Sequence, residues 1–416
     1  MVSIHPVRHA LVPIDSTAAT AVSAPNYDEF QSDLEVFEML RARPDNILKV
    51  TMPHTAVSAP SLFLDEGSDE ALDLARVNLA HLKGHPQMRT AADVLYIYEL
   101  RHRDTPDRRQ LGLGGSALTS EIRTDEQPGG VIIRNEGIRP EKAEGRARLI
   151  EATQSFIGTV NLTVQDKTGA FLSLLEQISD SREPSFQTHD EDKHLHRVWI
   201  VDDAAEIGRL TDALAAEPAA YVADGNHRSA AAAALGRNDF LAVFFTTGRM
   251  GLAPYNRLVQ PTGKSDDEVL AALGESFAID DAPESPFQPS EVHTIGLYIG
   301  GRWHRLVPKR GTYDPDRADE SIDSDIVQRK FLDAVLGISD PKDKRINFVG
   351  GNKDAAWLQR QVDEGDDQLA ITLAPVTMEQ FVAVCEQGVF MPPKSTWFEP
   401  KIRSGLVVSL FPESVS

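Results

Sequence analysis

The chain has 416 residues, too many for one ordinary domain at roughly 150 residues each, so two or three are expected. Hydrophobic residues at 41% and charged residues at 25% fit a globular core and exclude disorder as the main state. With 63 acidic against 42 basic side chains and a formal charge of -21, the average field repels phosphate backbones and anionic lipid, which excludes generic nucleic-acid coating.

The first thirty residues lack an apolar core of signal-peptide length. No later stretch approaches the roughly 20 apolar residues of a membrane helix. The single cysteine, Cys385, excludes an internal disulfide framework and fits a reducing compartment, so the chain reads as cytoplasmic, with neither membrane nor nucleic acid as partner. Short β-branched or aromatic runs predict strands at Val94–Leu100, Val131–Asn135, Thr159–Val164, Val198–Val201, Ala220–Ala223 and Leu241–Thr246. Apolar residues at three- and four-residue spacing predict helices at Arg139–Gln154, Asp203–Ala216 and Ser229–Leu235. After Pro261 a fresh series follows: a helix at 266–277, a hairpin through VHTIGLYIGGRWHRLV, a helix at 325–336, then INFVGG and LAITLAP. The fold class is therefore mixed α/β: an N-terminal α/β domain over 1–262 and a C-terminal α+β domain over 263–416. The least ordered linkers are expected at 181–194 and 280–291, and the run GLGG at 112–115 reads as a turn between strands.

The stretch AAYVADGNHRSAAAAAL, 219–235, carries the most chemistry. A strand ends at Asp224, Gly225 permits a tight turn, and an alanine-rich helix follows Arg228. A helix start presents unpartnered N–H groups and a positive dipole end, which attract a phosphate or carboxylate. Arg228 adds a fork of donors, with Gly225, Asn226 and Ser229 beside it. His227 could donate to the same anion or shuttle a proton, and Asp224 could hold a magnesium ion or orient the histidine. The bland reading is a capped helix in which Arg228 pairs with an acid.

The stretch VIIRNEGIRPEKAEGRARLIEAT, 131–153, places Arg139, Lys142 and Arg146 on one helical face. Such a basic stripe fits an anionic ligand, or else a solvated face laced with glutamates. Glu136, at a strand end, is a candidate general base, since partial burial raises a carboxyl pKa. At the C-terminus, MPPKSTWFEPKIRSGL presents Lys394, Ser395 and Thr396 on a proline-stiffened loop anchored by Trp397 and Phe398. It is similar to the end of a phosphate loop but lacks the glycine-rich lead. His189, His194 and His196 match no standard zinc spacing.

Together these residues resemble a family filed as a domain of unknown function and marked by a strand, then A-D-G-H-H-R, then a helix. SAPNYDEF resembles its A-P-P-Y-D segment, IRNEGIRPEKAEGR its H-E-x-T-x-x-x-K-x-x-R segment, LAPYNRLV its Y-N-R segment, and MPPKSTWFEPKIRSGL its P-P-K-S-T-x-F-x-P-K ending. The resemblance implies a core similar to that of the ParB/sulfiredoxin-like enzymes that phosphorylate free L-serine, with ATP and Mg2+ as cofactors and a small molecule as partner. It implies that Asp224 to Arg228 grip nucleotide phosphates, that Glu136, Asp224 and His227 are catalytic, and that Arg139 and Lys142 neutralise transferring charge. Lys394, Ser395 and Thr396 would close over the nucleotide or bind the serine carboxylate.

Three positions depart from the family pattern. Asn226 replaces the first histidine of the turn, Asn135 the histidine before the glutamate, and Asn26 the second proline of the N-terminal segment. Asparagine keeps hydrogen bonding but cannot titrate. The favoured expectation is a nucleotide-dependent small-molecule kinase. The alternative is a non-catalytic nucleotide-binding regulatory protein of ParB-like ancestry. DNA binding conflicts with the charge.

Overall fold

The computed structural model describes residues 1–30, 32–351, 353–399 and 401–412. The chain is mixed α/β and divides into two compact units. In place of one cut near residue 262, the first unit takes Met1–Arg134, Ile138–Met250 and the tail from Lys401, and the second takes Asn135–Gly137 and Gly251–Glu399. Among the described residues no helix is long and apolar enough to cross a membrane.

The first unit is built on strands β1 (Val7–Pro13), β2 (Met88–Arg101), β3 (Arg109–Leu118), β4 (Ile132–Ile133), β5 (Ser155–Phe156), β6 (Val160–Val164), β7 (Phe186–His189), β8 (Leu195–Val201), β9 (Ala220–Asp224) and β10 (Asp239–Thr246). The second carries β11 (Gly251–Pro254), β12 (Asn256–Val259), β13 (Phe277–Asp281), β14 (Ile295–Ile299), β15 (Arg302–Pro308), β16 (Ile346–Val349), β17 (Leu369–Leu373) and β18 (Thr396–Glu399), and the tail returns β19 (Val408–Leu410) to the first. The first sheet runs β4-β9-β6-β10-β3-β2-β1-β19-β5, with β8 on β2 and β7 on β8. Its long strand β2 pairs through 88–94 with β1 and through 95–101 with β8. The second unit's main sheet runs β13-β15-β14-β17-β12-β16, and β11 pairs with β18 as a ribbon.

Two expectations are corrected by packing. GLGG is no turn: it lies inside β3, paired with both β2 and β10. A Cβ on Gly114 would meet the Tyr96 ring at 2.1 Å and one on Gly115 would meet Leu95 at 2.7 Å, so the missing side chains admit the neighbours' rings and methyls. The 181–194 linker contains β7, paired with β8 through Phe186 and Thr188, both buried. Likewise Phe287, within 280–291, is buried in an apolar cluster of the second unit.

Two helices position the site. Pro140–Thr153 opens with proline in its first turn, where the missing N–H costs nothing, and stops at Gln154 in the left-handed region (φ 49). Asn226–Ala234 starts three residues before the expected Ser229. That shift puts Asn226, His227 and Arg228 in its first turn.

Candidate functional site

The elbow from β9 into the 226–234 helix turns on Gly225 at φ 100. A side chain there would be strained, and its Cβ would lie 2.9 Å from Arg228 Nε and 3.2 Å from Val160 Cα. A Cβ on Gly158 would meet Arg228 Cδ at 2.9 Å. The two glycines thus make the slot through which Arg228 runs. Its guanidinium faces Asp224 Oδ1 at 3.3 Å, and its Nη1 donates to Asn26 Oδ1 at 3.3 Å. The arginine is only 7% exposed, yet it lines a cleft.

Sequence reasoning treated Asn26 only as a departure, but its amide is a hub. Besides Arg228, Asn26 Oδ1 accepts from the Ser404 hydroxyl at 2.9 Å, and Nδ2 donates to the Ile402 carbonyl at 3.2 Å. Proline at this position could make none of these bonds. From the tail, Lys401 Nζ reaches Asp224 Oδ2 at 3.6 Å. Asp224 therefore faces two cations and does not fit as a magnesium ligand. Among the described residues the one three-donor group with metal-binding chemistry is Asp45, His81 and His85. The histidines at 189, 194 and 196 do not converge: His196 lies between Tyr98 and Asp190, while His194 accepts from the Arg103 N–H.

The basic stripe reaches the elbow. His227 Nε2 accepts from the backbone N–H of Arg139 at 3.0 Å, which assigns the ring proton to Nδ1. Burial first, then the charges of Lys142, Arg139, Arg146 and Arg228, push the His227 pKa down to about 4. The ring is therefore neutral at pH 7 in the ligand-free site. Arg146 sits over the Tyr27 ring, 3.4 Å from its centroid, a cation–π contact. Arg148 turns away to Gly67 and Asp69. The cleft joins Arg146, Arg228, Tyr27 and Ser404 to an apolar wall that includes Leu149, Ile150 and Phe156.

The expected serines are spent internally. Ser229 is fully buried and its hydroxyl donates to the Asn226 carbonyl at 3.0 Å, which removes it from phosphate binding. In the second unit, Ser395 donates to the Pro392 carbonyl at 2.6 Å and takes a hydrogen bond from Ser324 at 2.7 Å. Lys394 donates to the Tyr255 hydroxyl at 3.3 Å, and Thr396 opens β18 opposite Pro254. Glu136, also in the second unit, is half-buried and bridges Met391, whose N–H donates to the Asn135 carbonyl at 3.0 Å.

Fold and site define a mixed α/β protein with a cation-rich strand-to-helix elbow. The chain belongs to the DUF1015 family, described as "Protein of unknown function", whose model matches residues 4–335. The comparison with curated proteins found no match. Similar solved structures include a free serine kinase in complex with AMP (12% identity, TM-score 0.37, covering 64% of this chain and 83% of that one). Others are SbnI with C-terminal truncation from Staphylococcus aureus (12%, 0.39, 70% and 84%) and a conserved hypothetical protein from Pyrococcus furiosus (11%, 0.35, 65% and 89%).

Proposed function

We propose that the protein is a nucleotide-dependent small-molecule kinase that phosphorylates the hydroxyl of free L-serine or a similar metabolite. The observation that carries this reading is the basic helical face that meets His227 through the Arg139 N–H, with Lys142, Arg139, Arg146 and Arg228 all acting on that ring, at a helix start beside a cleft lined by Arg228 in a chain of charge -21. Backbone N–H groups of the first helical turn, with Arg228, Arg139, Lys142 and Arg146, take the polyphosphate. Leu149, Ile150 and Phe156 offer the nucleoside an apolar contact. The neutral His227 serves through its Nδ1–H as a hydrogen-bond donor.

In the transfer itself, the acceptor oxygen forms a bond to the γ-phosphorus as the bridging P–O bond to the β-phosphate breaks. ADP leaves with that electron pair, and the hydroxyl proton passes to a general base or to water. Such a reaction needs positioning and charge neutralisation more than a covalent nucleophile. Magnesium would enter with the nucleotide phosphates, since Asp224 is already held by Arg228 and Lys401.

Incubation of the full chain with ATP, Mg2+ and a panel of amino acids should yield a phosphorylated product, detected by mass spectrometry. No product from any acceptor sinks the kinase reading. The asparagines at 26, 135 and 226 favour a second reading, a nucleotide-binding regulator that does not turn over. It is supported if nucleotide binds and no acceptor is phosphorylated.

A further inference from the structure

Strand β12 of the second unit holds a charge where apolar residues are expected. Arg257 is 2% exposed and pairs across the sheet with Phe348 of β16 and Ile371 of β17. Alternation along the strand puts it on the same face as Val259, and Val259 and Ile371 belong to an apolar core cluster against which Phe348 packs. Among the described residues no carboxylate pairs with Arg257. Its one hydrogen bond runs from Nη1 to the carbonyl of Tyr255, and Nε is buried without an acceptor. Burial alone pushes the guanidinium down to about 9, with no opposing charge to restore it. A buried cation of this kind is expensive unless an anion meets it.

The end of β12 is also built for close approach. Tyr255 stacks edge-on with Trp397 at 5.4 Å, and its ring lies under Lys394 Nζ at 4.9 Å. The glycines after β16 fit against this layer: a Cβ on Gly350 would lie 2.4 Å from the Trp397 ring, and one on Gly351 would lie 2.4 Å from Ala253.

We infer that Arg257 is the anchor of a binding site for the carboxylate of a small organic acid or amino acid, held through the Nε edge of the guanidinium, which has no acceptor in the fold. A planar carboxylate matches the fork with two parallel hydrogen bonds. One negative charge balances one positive charge on the apolar face. The inference stands apart from the nucleotide reading, because it concerns residues of the second unit alone.

The test is calorimetric titration of the full chain with L-serine, glycine, acetate, ethanolamine and inorganic phosphate, on the wild type and on Arg257→Met and Arg257→Lys. The expected result is binding of at least one carboxylate, no competition by ethanolamine, and loss of about tenfold or more in affinity in both variants, the scale of a lost charge-assisted pair. ATP affinity should stay constant throughout. Arg257→Lys keeps the charge and guards against an Arg257→Met chain that fails to fold. The inference is overturned if the wild type binds no carboxylate, if Arg257→Lys binds it within twofold of the wild type, or if phosphate is the ligand lost instead. Carboxylate binding without any kinase product would leave this inference standing while removing the kinase one.

Discussion

Two arginine-rich clusters of the first unit look alike in composition and differ in purpose. Around Glu99, fully buried on β2, Arg101 approaches at 3.1 Å and Arg109 and Arg197 close in on the same carboxylate. Arg109 also pairs with Asp180 at 2.6 Å. Here the carboxylate lies at the centre and the cations are satisfied around it. At the elbow the centre is His227, a group that burial first and then the charges of Lys142, Arg139, Arg146 and Arg228 drive towards neutrality. The first cluster is organised around an anion, whereas at the elbow Arg228 pairs with Asp224 at one side and Arg146 lies over the Tyr27 ring; the proposed function assigns the remaining positive potential to a ligand.

The sharpest way to break this comparison is to remove each centre's partner. Glu99→Gln should cost about 1–3 kcal/mol of stability, since it weakens the charge-assisted pairs of three half-buried arginines, while ATP affinity per folded molecule stays constant. Chemical denaturation and titration calorimetry read the two effects separately. Arg228→Ala should lower stability as well, through its lost pairs, and in addition weaken ATP by about 2–5 kcal/mol, the range for truncating a buried charged partner. If ATP affinity falls no further than the ~1 kcal/mol of an exposed ion pair, the anion site lies elsewhere. Gly225→Ala sits between these, costing about 1–3 kcal/mol for its left-handed backbone and displacing Arg228, so both readouts should move together.

The elbow was legible in the sequence because its determinants are local: a strand, a glycine, an alanine-rich helix, and a basic stripe at helical spacing. Its partners were not. Asn26 and Ser404 lie far along the chain from Arg228, and nothing in their neighbourhoods announces a hydrogen bond to the turn. The N- and C-terminal segments were recognised as motifs, but that Asn26 and Ser404 meet at one elbow emerges only from the fold. Ser229 misled because a hydroxyl near a helix start looks available until its local carbonyl is located. GLGG misled because glycine runs usually signal turns, and only tertiary contact reveals that Tyr96 and Leu95 need the space. The mixed α/β class was legible from alternation alone. The domain boundary was not, since the tail returns to the first unit after Glu399.

Acidity sharpens the comparison further. His196, buried between Tyr98 and Asp190, is pushed down to about 4 chiefly by burial. Its folded pKa lies below the ordinary 6.5, so the unfolded chain binds more protons between those values and stability falls as pH drops through that window. Asp190 and Glu191, held near 2 with His196 and Arg403 as their respective partners, extend the loss below pH 4. At His227 the same depression has a ligand-dependent remedy. Under the proposed function a bound polyphosphate would offset the four cations and lift the histidine pKa, so the complex would take up protons that the ligand-free site refuses. ATP affinity should then carry a component that strengthens as pH falls from 7 towards 5, absent in His227→Gln. Proton-linked calorimetry in two buffers measures it, and equal proton uptake by both proteins would detach the histidine from the ligand.

The smallest expected effect tests whether Arg228 is merely held in place or held ready. Asn26→Asp keeps the size of the side chain and the acceptor that receives Arg228 and Ser404, and it loses the donor to the Ile402 carbonyl. The new carboxylate would compete with a ligand for Arg228 without removing any cation. Its gain in pairing and its lost hydrogen bond are each worth about 1 kcal/mol, so stability should change little. ATP affinity should fall several-fold, by an amount that shrinks as salt screens the added charge. If affinity holds, the Arg228 guanidinium meets no anion, and the cluster at the elbow is as self-contained as the one around Glu99.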